Sequence, residues 1–391
     1  MSDLKSKISS LANAYYNDAI MIRRHLHKYP ELSFQEHQTS NYIQHKLTEY
    51  GIPFQAGVVD TGVVALINGV DPQSKCIALR ADIDALPIHE QTNASYASKN
   101  KGVMHACGHD FHTASLLGVA RILNVLKNEW RGSVKLIFQP GEEKLPGGAS
   151  LMIKEGVLEK PRVDKIIGQH VSPELQSGTI GIKAGKFMAS TDEVYIDVIG
   201  KGGHAALPEG NINPIVMASD LINKLYDHFA QESDFDNVFS IGSIKGGSTG
   251  NIIPDKVRLQ GTFRALDMTF RKQAHNDIRH ICDEVSKSHR GNCELTIVEG
   301  YPVLQNDIDF TKQCANNAKD YMGEDNVLAI SKRMTAEDFA YYSHYIPSCF
   351  YRIGVGDSQS PRKHLHNAKF DIDESAIRHS MGLMSWLAVN S

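Results

Sequence analysis

The sequence predicts an α/β protein with a mainly parallel-sheet domain and an inserted ferredoxin-like βαββαβ domain. Strand-like and helix-like stretches alternate up to about residue 185, and the order then becomes β-α-β-β-α-β until about residue 300. After that point α/β character returns, and a chain of 391 residues suits two domains of ordinary size. We expect residues 1–187 and 300–391 to form the larger domain and residues 188–299 the insertion.

The first part of the larger domain contains short apolar runs at 75–79, 134–138 and 165–167. Each is bounded by charged residues or glycine and is rich in Val, Ile and Leu, which is typical of buried strands. A helical pattern lies between the first two runs, with apolar residues at Leu116, Val119, Ala120 and Leu123. Strands that alternate with helices predict a mainly parallel sheet.

The inserted segment has four predicted strands and two predicted helices. The strands are EVYIDVIG, VFSIGSIKGG, KVRLQGTFRALD and CELTIVEG, and the helices are NPIVMASDLINKLYDHFAQ and TFRKQAHNDIRHICDEVSKS. This order is the split βαβ arrangement of small ferredoxin-like domains. The remainder of the chain supplies a further strand, CFYRIGVG, and a closing helix from about Glu374.

The composition is that of a globular protein, with 41% apolar and 22% charged residues. A formal net charge of −4, without a cluster of Lys and Arg, argues against nucleic-acid binding. We find no apolar run of about 18 residues that would span a membrane and no signal-peptide core. The six cysteines are scattered, so we expect reduced thiols and a cytoplasmic location.

Potential metal ligands follow or precede the predicted strands and helices at five places. The positions are Asp82 and Asp84; His105, Cys107, His109, Asp110 and His112; Glu142 and Glu143; His170; and His364 and His366. Because open α/β sheets bind ligands beyond the carboxyl ends of their strands, these side chains are expected to converge. A mixture of thiolate, imidazole and carboxylate suits a borderline divalent ion such as zinc.

The adjacent carboxylates Glu142 and Glu143 also indicate hydrolytic chemistry. Two neighbouring carboxylates repel each other, but a metal ion can bind one and leave the other to act on water.

The sequence resembles the amidohydrolase branch of the metallopeptidase superfamily, which includes hippurate hydrolases, N-acyl-L-amino acid amidohydrolases and indoleacetyl-amino acid hydrolases. The motifs that carry the resemblance occur in order along most of the chain. They are RRHLHKYPELSFQE, LRADIDALPI, MHACGHDFHTA, FQPGEE, GKGGHAALP, GNIIPD, GTFRALD, AEDFAYY and LHNAKFDID.

The resemblance implies a site for two divalent metal ions per chain. Zinc is the favoured ion, and manganese, cobalt and nickel stay open. The implied ligands are Cys107, His109, Glu143, His170 and His366.

The resemblance also implies roles for five further residues. Glu142 would be the general base and Asp84 would orient the site. His204, in the inserted domain, would polarise the scissile carbonyl, and Asn251 and Arg264 would bind the substrate carboxylate. The larger domain would then be catalytic and metal-binding, and the insertion would be a lid and the interface of a possible homodimer.

These features predict an amidohydrolase that converts an N-acyl amino acid to a carboxylic acid and a free amino acid. A dipeptidase or aminoacyl-conjugate hydrolase of the same superfamily is the alternative. A metal-free hydrolase with Cys107 as nucleophile and a non-catalytic binding protein are weaker alternatives.

Several nearby residues have structural interpretations. We interpret Asp110 as the cap of the helix that follows it and Asp82 as a hydrogen-bonding residue at a strand end. His105 or His112 would orient a ligand. A solvated helix face and a functional role are equally compatible with Arg23, Arg24, His25 and His27.

Overall fold

The computed structural model describes residues 2–207, 209–232, 236–357 and 364–391. These residues form two compact units. The larger comprises Met1–Gly185, Gln305–Ser331 and Asp338–Ser391, and the smaller comprises Lys186–Leu304 and Lys332–Glu337.

The elements follow one another along the chain in three stretches. The first contains α1 (Ser2–Ala14), α2 (Tyr16–Lys28), α3 (His37–Glu49), β1 (Phe54–Val58), β2 (Gly62–Asn68), β3 (Cys76–Asp82), α4 (His109–Val125), β4 (Ser133–Gln139), α5 (Gly148–Lys154), β5 (Lys165–Gln176), β6 (Ile180–Ile182) and β7 (Gly185–Met188). The second contains β8 (Asp192–Ile199), β9 (Gly203–His204), α6 (Pro214–Gln231), β10 (Asn237–Lys245), β11 (Ile252–Ile253), β12 (Lys256–Ala265), α7 (Met268–His289) and β13 (Asn292–Glu299). The third contains β14 (Leu304–Asn306), α8 (Ile308–Met322), β15 (Val327–Ala329), α9 (Ala340–Ser343), β16 (Ser348–Gly356) and α10 (Ala376–Asn390), with a 3₁₀ turn at Glu324–Asn326.

An eight-stranded sheet forms the centre of the larger unit, in the order β1-β2-β4-β3-β5-β16-β6-β15. The four central strands β4, β3, β5 and β16 run parallel to one another. Antiparallel pairs occur between β1, β2 and β4 and between β16 and β6. Every residue of β3 and β4 is buried, as expected for central strands of a covered parallel sheet. The prediction of a mainly parallel sheet is therefore confirmed.

The smaller unit contains a four-stranded antiparallel sheet in the order β10-β12-β8-β13. Along the chain its elements run β8-α6-β10-β12-α7-β13, which confirms the predicted ferredoxin-like arrangement. The apolar side of the sheet packs against the two helices, with Val194, Ile196 and Leu259 beside Leu221 and Ile278.

Capping side chains explain where the two helices of the smaller unit begin. The Asn213 side chain accepts a hydrogen bond from the backbone N–H of Ile215, and Pro214 occupies the first turn of α6. The Asp267 side chain likewise accepts hydrogen bonds from the N–H groups of Thr269 and Phe270 at the start of α7.

β3 and β5 are longer than the strands that the apolar runs in the sequence predict. β3 continues to Asp82, so this carboxylate belongs to the strand. β5 continues to Gln176, so His170 lies within the strand and pairs with Arg352 of β16. No helix in the described part of the chain is long and apolar enough to cross a membrane.

Candidate metal centre

The five residues predicted to bind metal lie together in the larger unit. Their ligand atoms form overlapping groups within 4.8 Å of one another. These groups are Cys107 with His109 and His170; Cys107 with Glu143 and His366; and His109 with Glu142 and Glu143. The Cys107 Sγ is 3.3 Å from His170 Nε2, and Glu143 Oε1 is 3.3 Å from His366 Nε2.

Backbone geometry brings these residues together from distant parts of the chain. Gly108, with a φ of +86°, turns the chain between Cys107 and the start of α4. A Cβ at this position would lie 2.6 Å from a methyl group of Val171, so the close approach of β5 requires glycine. The backbone N–H of His366 donates to Ala106 O at 2.8 Å, which ties the C-terminal segment to the same loop.

The cluster extends from the interior of the larger unit to its surface. Cys107, His109 and His170 are buried, whereas the His366 side chain is 54% exposed and Glu143 is partly exposed. A small molecule could therefore reach the ligands from the His366 side.

Hydrogen bonds leave one nitrogen of His109 available to a metal. Its Nδ1 lies 3.0 Å from the backbone oxygen of Asp84 and 3.2 Å from Asp84 Oδ1. Both partners are acceptors, so Nδ1 carries the proton. The buried Nε2 has no hydrogen-bond partner among the described residues, and it points into the group formed with Glu142 and Glu143. A buried imidazole nitrogen of this kind is suited to give up its proton and bind a metal ion.

The electrostatic field in the cluster favours a cation. Burial alone would lower the pKa of His109, but Asp82 and Asp84 outweigh burial and raise this pKa to about 10. Burial raises the pKa of the Cys107 thiol well above its usual range, and Glu143 and Glu142 raise it further. A divalent ion would relieve the repulsion and favour the thiolate. The sulfur, nitrogen and carboxylate donors thus fit such an ion.

The raised pKa of Cys107 argues against a metal-free cysteine hydrolase. The thiolate is the nucleophilic form of cysteine, and a catalytic thiol needs a lowered pKa.

Asp84 contacts two of the predicted ligands and is fully buried. Its Oδ1 faces His109, while its Oδ2 accepts hydrogen bonds from the backbone N–H of Glu143 at 2.9 Å and from Ser33 Oγ at 2.7 Å. This placement is compatible with the predicted orienting role. Ser33 was missed by the sequence analysis, where the only signal was its position within the PELSFQE motif.

Asp82 and His112 form hydrogen bonds beside the cluster. His112 Nδ1 lies 2.5 Å from Asp82 Oδ1, and His112 Nε2 accepts from the Val171 N–H at 2.9 Å. Asp82 also accepts from Arg80 at 2.6 Å. Both nitrogens of His112 are therefore occupied, although this ring also comes within 4.8 Å of Asp82 and His109 ligand atoms. The hydrogen-bonding interpretation of Asp82 agrees with these contacts.

One interpretation from the sequence is wrong, and another holds for only two of its four residues. Arg23 and His27 do not belong to a solvated face, because both are buried on α2. Asp110 does not cap α4: the helix has no side-chain cap, and Asp110 accepts from Arg23 Nε at 2.9 Å and faces His27 Nδ1 at 2.8 Å. A signal was present in the sequence, since Arg23 and His27 share their helix face with the apolar residues Ile22 and Leu26.

The neighbouring histidines and arginine differ in their surroundings. Arg24, His25 and His364 are exposed. His105 is buried, and neither of its ring nitrogens has a hydrogen-bond partner within the described ranges.

The smaller unit places His204 next to Asn251. His204 lies on β9 and pairs with Ile252 of β11, and the N–H of Ala205 donates to Asn251 O at 3.1 Å. His204 and Asn251 are both exposed, and His204 Nδ1 accepts from the Ala206 N–H at 3.1 Å. The His204 Nε2 therefore carries the proton of the neutral ring. Pro208, the last residue of the GKGGHAALP motif, lies outside the described residues.

Arg264 lies near the end of β12 in the same unit. Its guanidinium is partly buried and donates to Met334 O at 3.1 Å. Other N–H groups of a guanidinium remain able to bind a carboxylate in such a position.

The fold and the donor set together define a metal-dependent hydrolase on an α/β scaffold. The sequence profile of peptidase family M20/M25/M40 matches residues 78–386, so the chain belongs to this family.

Relatives with similar sequences support this assignment. The chain is 40% identical over 363 residues to an N-acetyl-L-cysteine deacetylase of Bacillus subtilis, covering 92% of this chain and 84% of the relative. It is 39% identical over 306 residues to an N-acyl-L-amino acid amidohydrolase of Geobacillus stearothermophilus, covering 78% and 82%.

A solved structure also resembles the whole chain. It is a dinuclear metal-binding peptidase of the M20 family from Bacillus subtilis, with a TM-score of 0.84, 36% identity, and coverage of 96% of this chain and 98% of that one. These comparisons confirm the prediction of a metal-dependent amidohydrolase of this superfamily.

Proposed function

We propose that the protein is a two-metal amidohydrolase that cleaves an N-acyl amino acid to a carboxylic acid and a free amino acid. The observation that carries this proposal is the convergence of the Cys107, His109, Glu143, His170 and His366 ligand atoms beside Glu142. The named activities of the two relatives, on N-acetyl-L-cysteine and on N-acyl-L-amino acids, support the substrate class.

The five ligand residues would hold two divalent ions. Such ions lower the pKa of water and stabilise the negative charge that develops on the amide oxygen. Zinc is the ion that this donor set favours, and manganese, cobalt and nickel are the alternatives to test.

Glu142 is suited to be the general base. It is buried, and its Oε2 lies 4.0 Å from His109 Nε2, beside the ligand carboxylate of Glu143 at 3.9 Å. From this position Glu142 accepts a proton from the attacking water and passes it to the departing amine. When a metal ion replaces the proton on His109 Nε2, the acceptors of Asp84 would hold the remaining proton on Nδ1.

Residues of the smaller unit would bind the substrate. The Nε2–H of His204 would donate to the amide oxygen as charge develops there. Asn251 and Arg264 would bind the α-carboxylate, for which a planar guanidinium is well suited. In this proposal the smaller unit acts as a lid and as the interface of a homodimer, and the enzyme works in the cytoplasm.

The proposal is tested by changing the base and a ligand separately. Glu142→Gln should keep its metal and lose roughly 10²–10⁴-fold in kcat, because only proton transfer is removed. Cys107→Ala should instead lose metal, measured by elemental analysis of the purified enzyme. Glu159→Gln, at an exposed glutamate, is the matched control and should change neither quantity.

The substrate class is tested with N-acetyl, N-benzoyl and indoleacetyl amino acids and a dipeptide, assayed with each divalent ion after chelator treatment. Faster turnover of the dipeptide would favour the dipeptidase alternative. An enzyme that binds no divalent ion, and that gains no rate when one is supplied, would contradict the two-metal proposal.

A further inference from the structure

A buried side chain from the N-terminal segment contacts the loop that carries Glu142. This loop, residues 140–143, directly follows β4. The N–H of Gly141 donates to Glu36 Oε1 at 2.9 Å, and Thr61 Oγ1 donates to Glu36 Oε2 at 2.7 Å. Glu36 and Thr61 are fully buried.

The same loop position is restrained by an aromatic ring. Gly141 has a φ of +63°, and a Cβ on this residue would lie 2.3 Å from the ring of Phe34. The ring of Phe34 thus packs directly against the α-carbon of Gly141. On the far side of Glu142, the N–H of Glu143 donates to Asp84 at 2.9 Å. The backbone is therefore held on both sides of Glu142.

The side chain of Glu36 does not stabilise the helix that follows it. It immediately precedes α3, yet its side chain forms no capping hydrogen bond with that helix. Burying a carboxyl group is unfavourable unless hydrogen bonds compensate, and the two cited bonds join it to the catalytic loop and to Thr61. The contact thus links the PELSFQE motif, to which the proposed mechanism assigns no role, to the general base.

We propose that Glu36 is a positioning residue that holds Glu142 in its reactive position through the backbone of Gly141. This inference rests on the proposed function, because it requires Glu142 to be the base. Misplacement of a reacting group by about 1 Å can cost about 10²-fold in rate. We therefore expect Glu36→Ala to lower kcat by roughly 10- to 100-fold, with KM and metal content close to those of the unaltered enzyme.

Two conservative variants distinguish the effect of side-chain length on kcat from the effect of charge. Glu36→Gln keeps an oxygen at the same reach and should restore most of kcat. Glu36→Asp keeps the charge but shortens the side chain by one methylene, so kcat should fall as in Glu36→Ala. Thr61→Val removes the other partner of the carboxyl group and leaves Gly141 untouched, so it should retain kcat. A general loss of stability would not produce this order.

A double variant tests whether Glu36 acts through Glu142. In a Glu142→Gln background, Glu36→Ala should cause little further loss, because two residues that act as one unit are not additive. A full additional loss would overturn the inference, as would equal kcat values for Glu36→Gln and Glu36→Asp, or loss of metal from both. If Glu36→Ala fails to fold, the Gln and Asp variants decide the question alone.

Different results would contradict the proposed function and the positioning role of Glu36. Near-normal activity of Glu142→Gln would contradict the proposed function itself. An inactive Glu142→Gln together with a normal kcat for Glu36→Asp would overturn only the role of Glu36.

Discussion

Replacing the buried Arg23 should strongly destabilise the larger unit. The Arg23 guanidinium is fully buried and contacts three carboxylates, those of Asp110 at 2.9 Å, Asp371 at 2.9 Å and Glu374 at 3.0 Å. Arg23→Leu keeps an apolar stem but leaves these carboxylates without their shared cation. Removing one partner of a buried ion pair typically costs about 3–5 kcal/mol, because the remaining charge stays buried without compensation.

The adjacent Arg24 provides a matched control. Arg24 contacts Glu374 at 2.6 Å, which is also a partner of Arg23, but its side chain is 46% exposed. Exposed ion pairs contribute about 0–1 kcal/mol, so Arg24→Leu should have a small effect. Both variants remove one positive charge at neighbouring positions, so the difference between them reports the burial of Arg23 and its two additional carboxylate partners.

Thermal unfolding of both variants, followed by circular dichroism in the same buffer, measures this difference. At about 2–4 °C per kcal/mol for a large domain, Arg23→Leu should lower Tm by roughly 6–20 °C. Arg24→Leu should lower it by less than about 4 °C. Equal Tm values for the two variants would refute the conclusion that the buried ion cluster of Arg23 stabilises the larger unit.

Three further outcomes are expected. Burial lowers the pKa of His27, but the hydrogen bond and charge of Asp110 together with the hydrogen bond to Glu90 outweigh it and raise this pKa to about 9. The stability that charged His27 contributes is therefore complete below about pH 6.5 and lost as pH rises through 9. His27→Gln should flatten the dependence of Tm on pH over this interval, and an unchanged profile would contradict this expectation. Gly141→Ala should reduce kcat, because the positive φ of Gly141 and its contact with Phe34 exclude a side chain. Gly51 also has a positive φ, but a Cβ there would meet no atom within 4 Å, so Gly51→Ala should leave kcat unchanged. Chelator treatment should lower Tm and divalent ions should restore it, since a ligand that binds the folded state stabilises it; a Tm insensitive to both would argue against tight metal binding.

The fold could be predicted largely from local patterns. Short apolar runs marked β3, β4 and β5, and the β-α-β-β-α-β order marked the smaller unit. Strand ends were less accurate, because β5 continues through the polar residues Gln169 and His170, which hydrophobicity alone does not identify as buried strand.

The candidate site was harder to predict because its contacts span the whole chain. The predicted ligands were identified from the residue types and the resemblance, and the structure brings them together. The surroundings of Arg23 were not predictable, since two of its partners, Asp371 and Glu374, lie about 350 positions further along the chain. No pattern local to α2 reveals that a distant turn supplies its counter-charges.

The order of the proposed ligands along the chain has a consequence for biosynthesis. The first of them is Cys107 and the last is His366, with the whole of Lys186–Leu304 translated between them. A nascent polypeptide that has not yet reached residue 366, or a truncated fragment of it, holds an incomplete set of donors. Amide cleavage should therefore begin only after residue 366 has been translated and has folded against the loop of Cys107.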